Sequence, residues 1–144
     1  MMQFKPMTEQ FEWDWFKEKT HVIRCEDTQG IVAFDERGIQ AMGVFDTWTV
    51  DSCCVHLCVD NPTAIRRGLL HELGHYAFNV CGRTHMFGLV PSNNPRALKL
   101  NKHIGWCEVT TIPDGICTGV DVVVMRLNKE DCRWIAQPVK EEAA

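Results

Sequence analysis

Apolar positions recur along this chain with two different spacings, and the switches between them mark out the elements. Gln3–Met7 reads as a short extended segment. After it, Phe11, Trp15 and Phe16 fall at helical spacing behind Thr8, which predicts a helix capped by that hydroxyl. Gly30–Phe34 and Ile39–Val50 flank the turn sequence Asp35-Glu36-Arg37-Gly38 and predict a hairpin. Cys53–Val59 is a continuous apolar run closed by Asp60-Asn61-Pro62, the pattern of a strand buried on both faces. From Thr63 to Val80 the spacing turns helical, with Ile65, Leu69, Leu70, Leu73, Tyr76, Ala77 and Val80 along one stripe and Cys81-Gly82 as the stop. Met86–Val90 predicts a strand and Pro95–Ile104 a short helix ended by Gly105. Trp106–Ile112 and Val120–Leu127 predict a last strand pair around Pro113-Asp114-Gly115. This order predicts an α/β (α+β) domain over residues 1–137, with a mixed central sheet of six to seven strands flanked by helices, and a loose tail over 138–144.

Composition narrows the functions open to such a domain. The 144 residues are 45% hydrophobic and 24% charged, the mix of an ordinary globular protein. A formal net charge of -4 provides no basic field for nucleic acid or for an anionic membrane surface, so neither is an expected partner. The densest apolar run, Val122–Met125, is too short to span a bilayer, and Met1–Gln10 has no signal-like apolar core. A cytoplasmic location is the expectation. The eight cysteines are scattered and form no CxxC pair, which favours free buried thiols over a disulfide framework or a zinc knuckle.

His71-Glu72-Leu73-Gly74-His75 matches HExxH, in which two histidines one helical turn apart bind zinc and the glutamate activates the bound water. That chemistry needs a third ligand, for which His85, His103 and Glu108 are the loose candidates. At 100° per residue His71 and His75 lie opposite the apolar stripe, so the pair is expected to face away from the core. A metallopeptidase using His71, Glu72 and His75 is the minor alternative, and incidental zinc or nickel binding at the exposed pair is the more ordinary reading. No metal is required by the main one.

That main reading starts at Ser92-Asn93-Asn94-Pro95-Arg96-Ala97-Leu98-Lys99-Leu100-Asn101-Lys102-His103-Ile104-Gly105-Trp106. An Asn, an Ala three residues on, a Leu, and then a Gly followed by an aromatic resemble the closing motif of GNAT (GCN5-related) N-acyltransferases. The order of elements is similar over nearly the whole chain, and the C-terminal half resembles small GNAT-like proteins encoded in phage genomes, which would put the protein in a bacterial host cytosol. The resemblance implies the GNAT acyl-CoA N-acyltransferase fold, with acetyl-CoA or another acyl-CoA as cosubstrate and an amine as acceptor. It leaves a homodimer open.

In that family two neighbouring parallel strands splay apart and the pantetheine arm of CoA lies in the gap. The resemblance implies that Cys53–Val59 and Met86–Val90 are those strands, with Leu57 and Val59 along the cofactor. The pyrophosphate would meet the turn Asn61–Gly68, where Ala64, Arg66, Arg67 and Gly68 stand, while Asn94 and Ala97 would contact the cofactor from the following helix. Asn61, Ala64 and Arg66 occupy positions where the family usually has a Gln or Arg and two glycines. Asn101 stands where many members carry the tyrosine that protonates the departing thiolate; it donates a hydrogen bond but no proton, which leaves that step to water or His103. His56 and the strand-end Asp60 are the candidates for the base that accepts the amine proton, His56 being preferred. A catalytically inactive GNAT-fold binding or structural protein is the alternative.

Overall fold

The computed structural model describes residues 1–136, so the tail expected over 138–144 lies outside the described residues. Among the described residues seven strands form one mixed sheet: β1 (Gln3–Pro6), β2 (Gln29–Asp35), β3 (Gly38–Asp46), β4 (Ser52–Val59), β5 (His85–Pro91), β6 (Cys107–Cys117) and β7 (Val120–Asn128). Their order is β1-β2-β3-β4-β5-β7-β6, and only β4 and β5 are parallel. The β2–β3 hairpin closes where predicted: the Asp35 carboxylate accepts from the backbone and guanidinium of Arg37, and Gly38 takes φ 112°, a conformation open to glycine.

β3 ends at Asp46, earlier than the apolar pattern suggested. Thr47 turns the chain left-handed at φ 53°, and the indole of Trp48 leaves the sheet to donate to the Asp27 carbonyl at 2.8 Å. β6 runs on through Pro113-Asp114-Gly115, where a turn was predicted; the reversal occurs at Thr118-Gly119, with Gly119 at φ 87°. Trp106 precedes β6 and packs into the core.

The sheet carries a core on each face. On one side Phe45, Cys53 and Met86 meet Leu69, Leu73, Ala77 and Phe78 from the chain joining β4 to β5. On the other, Val32, Met42 and Val44 meet Trp13 and Phe16 of α1 (Gln10–Thr20). The N-cap of α1 is Glu9, not Thr8: the Glu12 carboxylate accepts from the backbone N–H groups of Thr8 at 2.9 Å and Glu9 at 3.0 Å. Glu12 also pairs with Lys5 of β1. This rotates the helix so that Glu12, Trp13 and Phe16 are buried and Phe11 is exposed, against the expected stripe.

The helix expected over Thr63–Val80 is broken. Ile65–Leu69 forms a π-helical turn interrupted at Gly68, whose φ of 123° no L-residue adopts readily. α2 (Leu70–Gly74) follows and continues without a break as a second π-helical turn, His75–Val80. Gly43 of β3 leaves room for Leu73, because a Cβ there would stand 2.3 Å from its Cδ2. Gly74 likewise admits Cys132 and Ile135, Ile135 belonging to α4 (Arg133–Ala136). The wider π turn displaces the apolar stripe, so Val80 is exposed and Tyr76 only half-buried. α3 (Pro95–His103) is capped by Asn94, whose Oδ1 accepts from the Ala97 N–H at 3.2 Å.

Candidate functional site

The central parallel pair opens into a fork. β4 pairs with β5 only from Ser52–Cys54 to His85–Phe87. Beyond that, β3 keeps pairing with β4 up to Val59 and β7 keeps pairing with β5 up to Pro91, so each strand stays in the sheet while parting from the other. Val55–Val59 are consequently half-exposed in the middle of a sheet, which corrects the expectation of burial on both faces. Among the described residues their edge toward β5 has no ladder partner there. At the apex Gly88 sits under the Trp106 indole: a Cβ at Gly88 would lie 3.4 Å from Trp106 Cζ3 and 3.7 Å from the Val55 carbonyl oxygen.

Topology gathers most of the expected residues around this fork. Leu57 and Val59 lie on its β4 arm, packed toward the α2 side. At the open mouth, the chain leaving β4 carries Asn61–Gly68 and the chain leaving β5 carries Asn94–Ala97. Arg66 and Arg67 are exposed, with Arg66 reaching the Thr63 hydroxyl at 3.3 Å. Ala64 does not line an open turn as expected, because its side chain is fully buried in the core. The glycine that bends this loop into the helix is Gly68. Ala97 is half-buried, and the Asn94 carboxamide oxygen is engaged as the helix cap. Asn101 lies level with the apex: its amide faces the Met125 sulfur at 3.6 Å, and Met125 pairs with Gly88.

The two expected bases differ. Asp60 is exposed beyond the end of β4 and binds Lys19 at the end of α1 at 2.7 Å, a contact that raises the Lys19 pKa. His56 is two residues beyond the last β4–β5 pair, on the α1 side of the sheet, with its Nε2 3.0 Å from both carboxylate oxygens of Asp46. The Thr47 hydroxyl donates to Asp46 Oδ1 at 3.1 Å. Sequence reasoning missed Asp46, since its approach to His56 depends on the β3–β4 register, in which Asp46 faces Cys54. Burial pushes the Cys54 thiol up to about 12.

The HELGH pair sits apart from the fork. The two imidazoles stack, with centroids 5.9 Å apart and planes 8° from parallel. His71 is half-buried, its Nδ1 2.8 Å from the Trp134 carbonyl, so α4 covers part of a face expected to be open. His75 Nδ1 lies 3.1 Å from the Asn79 amide nitrogen, which holds it as an acceptor. Among the described residues no third His, Cys, Asp or Glu donor joins His71, Glu72 and His75; the donor cluster that does form is Asp46, Cys54 and His56. His85, His103 and Glu108 are engaged elsewhere or exposed: His85 with Thr84, Glu108 with Lys102, and His103 at the exposed end of α3.

No family model and no curated protein matches the sequence. Solved structures do match the fold. Spermidine/spermine N-acetyltransferase SpeG from Vibrio cholerae, in complex with manganese ions, superposes with a TM-score of 0.75 at 11% identity, covering 90% of this chain and 93% of that one. The structure of a GNAT-family protein from Desulfovibrio desulfuricans superposes at 0.73 with 12% identity, over 90% of this chain and 99% of that one. A parted central parallel pair, a helical crossover on one face, a capped helix after β5 and these superpositions agree: the chain has the fold of the GNAT acyl-CoA N-acyltransferases.

Proposed function

We propose that this protein is an acyl-CoA-dependent N-acyltransferase that moves an acetyl or related acyl group to an amine by direct attack. The observation that carries this reading is the fork, a central strand whose Val55–Val59 edge is free to pair with an extended ligand. An acyl-CoA fits it with the pantetheine amides along β4, beside Leu57 and Val59, and the thioester near Gly88. Its phosphates then reach the mouth, where Arg66, Arg67 and the Gly68 bend supply cationic and backbone donors.

The acceptor comes from the face that carries His56. The amine nitrogen bonds to the thioester carbon, the carbonyl electrons move to oxygen and return, and the carbon–sulfur bond breaks to release the CoA thiolate. The amine proton passes to His56, held by Asp46, and the thiolate takes a proton from water or His103. The first amines to screen are polyamines, the substrates of the spermidine acetyltransferases that share the fold.

The test is calorimetric titration with acetyl-CoA, on wild type and on an Arg66→Ala/Arg67→Ala variant, followed by mass-spectrometric detection of acylated amines. Saturable binding weakened about tenfold or more by the double change supports the site. Absence of binding in a folded protein refutes it. One observation favours the non-catalytic reading: Asn101 supplies no acid at the apex. Binding without turnover across the amine panel would establish that second reading.

A further inference from the structure

The β3–β4 ladder sets Asp46 directly across from Cys54, and strand alternation puts His56 on the same face, so three chemically different donors converge. One donor atom from each lies within 4.8 Å of the others. Cys54 is 2% exposed, while the side chains of His56 and Asp46 keep 22% and 16% exposure, so the cluster is walled on the sheet side and open toward solvent. From this convergence we infer that Asp46, Cys54 and His56 form a three-ligand site for a divalent ion of the zinc class.

The donor set argues for the ion. A thiolate, an imidazole nitrogen and a carboxylate oxygen suit zinc or cobalt, whereas magnesium and calcium take oxygen donors. Zinc bonds of about 2.0–2.3 Å place tetrahedral donors roughly 3.3–3.8 Å apart. The carboxylate and imidazole, now 3.0 Å apart, would open by a few tenths of an ångström, and the thiol, within 4.8 Å of both, would close by at most about one. Side-chain rotation achieves both. Charge also balances: a dication meets one carboxylate and one thiolate, leaving a neutral cluster in a half-buried place. Without the ion, burial and the neighbouring Asp46 keep the thiol protonated; the ion displaces that proton.

The Thr47 hydroxyl on Asp46 Oδ1 leaves the other carboxylate oxygen as the natural ligand. Three protein donors also leave a fourth position open on the exposed side, the arrangement of an accessible site. Resting on the acyltransferase reading, an ion on His56 Nε2 would leave the ring proton on Nδ1, so the imidazole could no longer accept the amine proton and loading the site would block transfer reversibly. The site itself does not depend on that reading, and its test uses no activity.

The test titrates cobalt(II), with zinc(II) in competition, into the reduced, chelator-stripped full chain. The expected result is a thiolate-to-cobalt charge-transfer band that saturates at one equivalent. Cys54→Ser should abolish the band, and Asp46→Asn should weaken zinc affinity about tenfold or more while circular dichroism stays unchanged. A His71→Ala/His75→Ala variant should keep the band. Absence of the band in wild type overturns the proposal, as does its survival in Cys54→Ser or its loss in the His71/His75 variant. If Cys54→Ser does not fold, an unchanged zinc affinity in Asp46→Asn overturns it alone.

Discussion

Glu12 ties α1 to the edge strand β1, and its removal is the most informative test of how that helix is docked on the sheet. The side chain is 2% exposed, accepts from the Thr8 and Glu9 N–H groups at 2.9 and 3.0 Å, and pairs with Lys5. Glu12→Ala deletes all three partners at once. Breaking a buried pair costs about 3–5 kcal/mol, but Lys5 keeps 35% exposure and can turn to water, which brings the expected loss to about 2–3 kcal/mol. For a chain of this size that is a fall in Tm of about 5–10 °C. Glu12→Gln keeps an acceptor for the two N–H groups and loses only the charge, so about 1 kcal/mol is expected.

The two variants also separate by pH. Burial pushes the Glu12 pKa up, but the Lys5 bond and the backbone N–H bonds outweigh it, and the net shift is downward from 4.5. A lowered folded-state pKa means that the charge stabilises fully above the unfolded value and that this gain is lost as pH falls through the folded one. Urea denaturation should show a constant gap between wild type and Glu12→Gln above about pH 5.5, narrowing below about pH 4.5. A Glu12→Ala loss under about 0.5 kcal/mol, or a gap that widens in acid, would refute the reasoning.

Gly43→Ala drives a methyl into Leu73 and should cost about 1–3 kcal/mol by thermal or urea melts, with Leu73→Ala in the same chain recovering part of it. Asn94→Ala removes the cap of α3 and should cost about 1 kcal/mol. Because its carboxamide is already engaged, acetyl-CoA affinity should change less than in the Arg66→Ala/Arg67→Ala variant; calorimetry showing the reverse order would assign Asn94 to the cofactor. Burial raises the Cys53 and Cys54 thiols to about 12 and also raises Cys132, whereas Cys25, Cys107 and Cys117 are exposed. Peptide mapping after brief alkylation of the native metal-free protein at pH 8 should find the exposed three labelled and the buried three protected until urea is added.

Periodicity and turn residues were enough for the order of elements from β1 to β7, the β2–β3 hairpin with its Asp35–Gly38 turn, and the strand–helix–strand crossover between β4 and β5, but not for α4. These depend on local spacing and turn chemistry, which a linear pattern carries. The short helix from Pro95 and its glycine end were likewise legible, because they are written in consecutive residues, whereas the Asn94 cap was seen only in the structure. Where local rules met competing contacts they failed: Glu12 displaced Thr8 at the start of α1, the π turn at His75–Val80 moved Tyr76 and Val80 off the apolar stripe, and α4 covered His71. The site needed more than pattern. The fork exists because β3 and β7 hold β4 and β5 along lines that diverge after Cys54 and Phe87, and no residue in either strand encodes that divergence alone. Asp46 joins Cys54 and His56 only through ladder register, and a shift of one residue would send it to the opposite face of the sheet. The sequence by itself therefore determined the strands and the larger helices and their order, whereas strand divergence and register, set by pairing between distant segments, decided where their side chains meet.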